Sequence, residues 1–500
     1  MDQKQQPDIL IYMSDQHGAD YCSWGNVKVD TPVLADMAAH GTRFSQAYSP
    51  CPLCVPARMS MMSAQLPQDT GVYNNKFTLS NLTPCFTHSL VEAGYETVLI
   101  GRMHFIGRDQ RHGFTKRLAG DVTPVSWKKP FGKIAKERGK TVRAFSPEGS
   151  TELVGAGDSI VTDYDRYVLE TALDYLSEEH EKPQFILVGA FGPHSPYITS
   201  PEMYRKYLRP ESAPSFFREE ELPAYLREVP ALNARVRPAS LSEEDALACR
   251  AAHLGLIETM DGQIGELRSA FHSFSEKRGH GAVFGYVSDH GDMAGERRMY
   301  GKTCFFDKSA KIPMLFEGTG ISEGKTIDSP VSLLDLGPTV CELGGTVFST
   351  KDARSLAPQL CGQDGDSERV VVSQVMETLP ELGACAGTML RWKNYKYVVY
   401  HRAEDRALLF DMNSDPLEEH NLIFELPELA AWFSEKAAAQ ADFSAMEQQF
   451  RQSQHTAKLL EIYEGAAGFD DTERWKDNPP SSRAENLEIV AVDRLQAGGR

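Results

Sequence analysis

Four short apolar runs, each passing directly into polar residues, constrain the fold of this chain more than any other feature. Residues 9–13 lead into Ser14-Asp15-Gln16-His17, residues 97–100 into Gly101-Arg102-Met103-His104, residues 185–191 into Gly192-Pro193-His194, and residues 282–287 into Ser288-Asp289-His290-Gly291. Continuous apolar runs of this length read as strands buried on both faces, as in a parallel sheet covered by helices. In an open α/β sheet, ligands bind beyond the carboxyl ends of the strands, so the four polar clusters are expected to meet in one crevice. A chain of 500 residues with 41% apolar content can bury such a sheet.

Strands and helices alternate over residues 1–365, which predicts a large α/β domain. Within it, Ser240-Leu241-Ser242-Glu243 is a capping-box candidate for a long helix running through Met260 towards Ser273. The segment between His194 and that cap is rich in Pro, Glu and aromatics, including Tyr197, Tyr204, Phe216, Phe217 and Tyr225. It reads equally well as a lid or specificity insertion and as an ordinary connector with short helices. Residues 366–500 predict a smaller C-terminal subdomain: an antiparallel sheet from 370–375, 389–392, 395–400 and 408–411 with a turn at Lys393-Asn394, helix from 427 to about 464, and a Pro/Ser/Asn-rich tail at 477–483.

The crevice would hold two kinds of group. Asp15, Asp289 and His290 are donors for a divalent cation, whereas Arg58, Arg102 and Lys302 are cations that cannot ligate one. Together they suit an oxyanion, whose charge a metal and fixed cations can neutralise from several sides. His104 and His194 sit where a proton donor or acceptor is useful; His17, His88 and His112 read as structural. Cys54-Val55-Pro56-Ala57-Arg58 opens an apolar helical run, and the unpaired N–H groups and positive dipole of a helix start make an anion site facing Cys54. From these residues alone, an ordinary buried thiol beside a surface arginine is an equal reading.

A net charge of −18 argues against a nucleic-acid partner. It also repels anionic substrates at long range, but salt screens that repulsion beyond about 8 Å and leaves the local cations to decide binding. The nine cysteines lack the dense spacing of a disulfide scaffold and read as reduced thiols. Pro52, Pro56 and the lack of a second pair set Cys51-x-x-Cys54 apart from redox and zinc motifs. No run is long enough to span a bilayer, and the first residues leave no room for a secretory apolar segment, so the expected location is cytoplasmic with no membrane partner.

Cys54-x-Pro-x-Arg58 resembles the signature of the sulfatases, whose cysteine is oxidised after translation to formylglycine, and the resemblance covers most of the chain. It implies an alkaline phosphatase-like α/β fold. Asp15 is similar to the first metal aspartate, Asp289-His290 to the second metal pair, and Cys54 to the formylglycine precursor that also meets the metal, with Arg58 orienting it. Gly94-Tyr95-Glu96-Thr97 and Gly101-Arg102-Met103-His104 resemble the block whose lysine binds sulfate and whose histidine contacts the formylglycine hydrate. His194 resembles the leaving-group histidine, and Lys302 the second sulfate-binding lysine. Leu409-Phe410-Asp411 with Asp415-Pro416 and Glu418 resembles the C-terminal signature. The run from Met103 to Phe114, with Gly295-Glu296-Arg297 and Phe305-Phe306, resembles the choline sulfatase and phosphonate monoester hydrolase branch, in which Asn75 would donate its amide to a sulfuryl oxygen. Trp127 reads as a packing residue more readily than as pocket wall.

Gln16 stands where many sulfatases carry another metal aspartate, and His290 where many carry asparagine; Gln16 can still ligate through its amide oxygen. One carboxylate fewer and one imidazole more soften the site, making Mn²⁺ a rival to the expected Ca²⁺. Arg102 replaces the usual lysine and reads as a sulfate clamp with a planar fork. Ala57 replaces a common serine, a change that anaerobic maturation systems of the family accept. The implied function is hydrolysis of a small-molecule sulfate ester to alcohol and sulfate. The implied partners are a formylglycine-generating maturation enzyme and further copies of the chain in a homo-oligomer. The alternatives are a phosphonate monoester or phosphodiester hydrolase on the same scaffold and a non-catalytic, metal-dependent anion-binding protein.

Overall fold

The computed structural model describes residues 6–123, 151, 153–157, 159–236, 241–379 and 383–467; Trp127, Ser240 and the tail at 477–483 lie outside them. Eight strands form the central sheet: β1 (Asp8–Asp15), β2 (Gly41–Phe44), β3 (Glu96–Gly101), β4 (Lys116–Ala119), β5 (Gln184–Pro193), β6 (Ala282–Ser288), β7 (Met314–Gly318) and β8 (Lys325–Ile327). Their spatial order is β8-β2-β7-β6-β1-β5-β3-β4, and β7 alone runs against its neighbours. The four apolar runs are thus the adjacent parallel strands β6, β1, β5 and β3. β1 lies between β5 and β6, which connect outward in opposite directions, so its carboxyl end is a switch point of the sheet.

Alternation along β1 builds the two core layers. Ile9, Ile11 and Met13 pack with Val55, Met59 and Met62 of α1 (Cys54–Ser63), while Leu10 and Tyr12 pack with Val168 of α2 (Ile160–Leu176) and with Ile264, Leu267 and Phe271 of α3 (Glu243–Arg278). The cap of α3 differs from the expected one. Ser242, not Ser240, accepts the Asp245 N–H while Asp245 reaches back to the Ser242 N–H, and the helix continues to Gly279, whose φ of +71° closes it.

The C-terminal sheet is antiparallel in chain order: β9 (Val371–Leu379), β10 (Gly383–Trp392), β11 (Tyr395–Tyr400) and β12 (Leu408–Asp411). The helix expected from 427 is two, α4 (Pro427–Gln440) and α5 (Phe443–Ala467), parted where Ala441 turns extended. The segment after His194 forms a short strand and several short helices, with Tyr225 packed against Phe306 and Phe410. Among the described residues no helix is long and apolar enough to cross a membrane.

Candidate active site

The carboxyl ends of β1, β6, β3 and β5 and the first turn of α1 meet at one buried point. Asp15, Cys54, Asp289 and His290 each turn a donor atom inward, all within 4.8 Å of one another. The His290 Nε2 lies 3.3 Å from the Cys54 Sγ, 3.8 Å from Asp15 Oδ1 and 3.6 Å from Asp289 Oδ1. The His290 Nδ1 is 3.0 Å from the Gly291 carbonyl, which can only accept, so Nδ1 carries a proton and Nε2 is the nitrogen turned to the cluster.

Arginines hold the other carboxylate edges. Arg58, fully buried, donates from Nε to Asp289 Oδ2 at 2.9 Å and from a terminal nitrogen to Asp15 Oδ2 at 3.2 Å. It orients the two aspartates and makes no surface contact. Burial and Cys54 push the Asp15 carboxyl up, but Arg102, His194 and Arg58 outweigh them and hold it well below the usual carboxylate range.

Arg102 differs from the open sulfate clamp expected of it. It donates from Nε to Asp15 Oδ2 at 2.6 Å, from one terminal nitrogen to Asp121 at 2.9 Å and to the Thr123 hydroxyl, and from the other to His104 Nδ1 at 2.8 Å. At most one of its five N–H groups is left for a ligand. Because arginine can only donate, His104 Nδ1 must accept, so the His104 proton sits on Nε2, the nitrogen on the Cys54 side. Burial and the Arg102 charge lower the His104 pKa and keep it neutral. His194 is stacked on Phe191 at 4.9 Å, with Arg102 over the same ring at 5.0 Å. Its Nδ1 lies 2.6 Å from the Ser195 carbonyl, which fixes a proton there and points the exchangeable Nε2 site away.

Burial would raise the Cys54 thiol, yet Lys302, His290, His104 and His194 together bring it well below its ordinary value. Position 54 is therefore held in a pocket that favours negative charge. Asn75 Oδ1 accepts the Val55 N–H at 3.0 Å, capping the first turn of α1 and leaving its amide nitrogen as the donor end. Lys302 donates to Gln16 Oε1, and Gln16 Nε2 to Asp292 Oδ2 at 2.5 Å. The Gln16 amide oxygen considered as a ligand thus faces Lys302.

His17 is a packing residue, buried between Tyr286 and the Tyr21 carbonyl and lowered by burial to about 4. All nine cysteines are free thiols, Cys51 included. Asp121 was not anticipated, although it follows the end of β4 as Asp15 ends β1; that strand is short and half charged, so it makes no apolar run.

The sequence profile of the family described as Sulfatase matches residues 7–346, and that of "N-sulphoglucosamine sulphohydrolase, C-terminal" matches residues 295–436. A choline-sulfatase from Rhizobium meliloti is 32% identical over 487 residues, covering 92% of this chain and 91% of its own. Arylsulfatase K from Xenopus laevis is 26% identical, covering 84% and 79%. The phosphonate monoester hydrolase of Agrobacterium radiobacter shares the fold with a TM-score of 0.70 at 21% identity, over 89% of this chain and 96% of that one. Profile match and relatives agree with the buried site at the strand ends: this chain is a sulfate ester hydrolase and belongs to the sulfatase family.

Proposed function

We propose that the chain cleaves a sulfate monoester using an aldehyde hydrate made from Cys54 and a divalent cation held by Asp15, Asp289 and His290. The observation that carries this reading is the placement of Cys54: at the first turn of a buried helix, 3.3 Å from His290 Nε2 and 3.6 Å from Asp15 Oδ1, with His104 and His194 both reaching its sulfur. The donor set of two carboxylates, an imidazole and the group at position 54 fits a cation; Ca²⁺ is the proposed ion and Mn²⁺ its rival, because the imidazole softens the site. When present, the metal and the aldehyde hydrate supply an acidified hydroxyl nucleophile and neutralise sulfuryl charge.

The chain's own side chains do the rest. Lys302 and the Asn75 amide bind sulfuryl oxygens, with Arg102 lending its charge and at most one N–H. His194, with Nδ1 tied to Ser195, holds on Nε2 the proton that the departing alcohol oxygen takes. His104, with its tautomer set by Arg102, manages the proton of a hydroxyl at position 54 when sulfate is released. Oxidation of Cys54 requires a formylglycine-generating enzyme, and the other eight cysteines, all unpaired thiols, support a cytoplasmic site of action.

The test is a comparison of kcat/KM on aryl sulfates, aryl phosphonates and aryl phosphodiesters of one leaving group. Sulfate is expected to be preferred; a preference for either phosphorus ester would transfer the reading to the phosphonate or diester alternative. His194→Ala should lose about 10²–10⁴-fold in kcat on alkyl sulfates but far less on nitrophenyl sulfate, whose anion leaves without a proton. An equal loss across leaving groups would remove His194 from the acid role.

A further inference from the structure

We infer that the buried triad of Lys396, Asp307 and Glu418 is a positioning device for Lys302, by which the C-terminal sheet sets the active-site loop. The inference rests on the reading of Lys302 as a cation on the sulfuryl oxygens.

Along β11, Lys396, Val398 and Tyr400 point to the catalytic side, and Tyr397 and Val399 to the opposite face, where Phe433 stacks on Tyr397. A lysine at a core-facing position is anomalous, and this one is wholly buried. Its ammonium donates to the Phe305 carbonyl at 2.8 Å and to Asp307 Oδ1 at 2.5 Å, and pairs with Glu418 Oε1 at 2.6 Å. The second Glu418 oxygen accepts the Asp307 N–H at 2.9 Å. Tyr48 donates to Asp307 and receives the Arg391 Nε–H at 2.9 Å; Lys311 lies 3.6 Å from Asp307. Arg297 donates to the Leu417 carbonyl and covers the Phe306 ring, and Tyr225 donates to the Glu418 carbonyl. Burial raises both carboxyls; at Asp307, Lys396, Lys311 and Arg391 outweigh it and hold it ionised.

The loop between Lys302 and Asp307 needs such an anchor. Thr303 has a φ of +73°, a strained conformation for a β-branched residue that persists only where its surroundings over-determine it. Upstream the loop is held by the Gly301 N–H on Asp292, and at Thr303 by its N–H on the Pro52 carbonyl, 2.9 Å each. Downstream it is held by the triad. A buried ionic cluster seldom gives more stability than apolar side chains of the same shape, but its bonds are directional and fix the backbone at Phe305 and Asp307. This gives Glu418 of the C-terminal signature a physical task at a site it does not touch.

The test measures kcat for Lys396→Met and the milder Glu418→Gln, each alone and combined with Lys302→Ala, on nitrophenyl sulfate, with circular dichroism to confirm folding. Alone, each folded variant should lose roughly tenfold to a hundredfold in kcat, the effect of small misplacement of a reacting group. In the Lys302→Ala background the loss should shrink to less than about twofold, because the cation through which the triad acts is gone. If Lys396→Met does not fold, Glu418→Gln decides. Losses that multiply in both backgrounds, or full kcat in folded Glu418→Gln, overturn the inference and leave the site reading intact. An unchanged kcat in Lys302→Ala itself overturns that reading, and the inference with it.

Discussion

Replacing Cys54 by alanine should lower kcat by about 10⁴-fold or more while leaving the fold unchanged, and active wild-type protein should carry an aldehyde rather than a thiol at this position. A loss of this order is expected when a nucleophile that defines the chemical step is removed, since binding and electrostatic groups alone sustain only residual turnover. The fold should survive because the substitution removes one buried sulfur from a helix whose other apolar side chains remain packed. The measurement is the mass of the peptide containing position 54, taken from the same sample whose kcat is determined. A fully active sample with an unmodified thiol would refute the mechanism. The thiol itself would be unusually acidic: burial opposes its ionisation, but Lys302, His290, His104 and His194 prevail. The surroundings of position 54 therefore favour the thiolate over the thiol.

The central part of this architecture is legible in sequence because burial on both faces of a parallel strand leaves an uninterrupted apolar run. Each run here ends where a polar group is delivered: Asp15, Arg102, His194 and Asp289 all follow such runs. What a side chain does once delivered is a different matter. Arg102 reads in sequence as a free cation, but its partners Asp121 and Thr123 come from a loop after a short, half-charged strand that carries no apolar signal. Its role, set by which carboxylates reach it first, is a tertiary property. The same holds for Lys396. In sequence it interrupts an aromatic strand, and only the pairing of β11 beside the loop after Lys302 shows the carboxylates that make its burial tolerable. Local signals fared unevenly. The turn at Lys393-Asn394 lies where expected, whereas the capping box expected at Ser240–Glu243 is shifted by two residues, to Ser242 with Asp245.

Asp289→Asn should abolish tight metal binding and lower kcat by about 10³-fold or more, with a measurable but smaller cost in stability. Three donors converge on this carboxylate: Arg58 Nε at 2.9 Å on Oδ2, and the N–H groups of Gln16 at 3.0 Å and His290 at 2.9 Å on Oδ1. An amide has one acceptor oxygen, so either Arg58 or the two N–H groups lose their partner, a cost of about 1–3 kcal/mol for a buried donor. The electrostatic effect is larger. Removing the charge of Asp289 takes one of the two carboxylates from the donor cluster, while Arg58 and Arg102 stay beside Asp15, so the place a cation must enter becomes less negative. A cation would then be held less strongly in a buried site where screening is weak. Metal content by mass spectrometry and kcat on an aryl sulfate should therefore fall together, and excess Ca²⁺ or Mn²⁺ should restore only a small part of the rate. His194→Ala provides the contrast, because it leaves the donor cluster and its charges intact and should keep a full complement of metal. If Asp289→Asn retained stoichiometric metal while losing activity, the cation would have to be held elsewhere, and the site built on Asp15, Asp289 and His290 would be withdrawn.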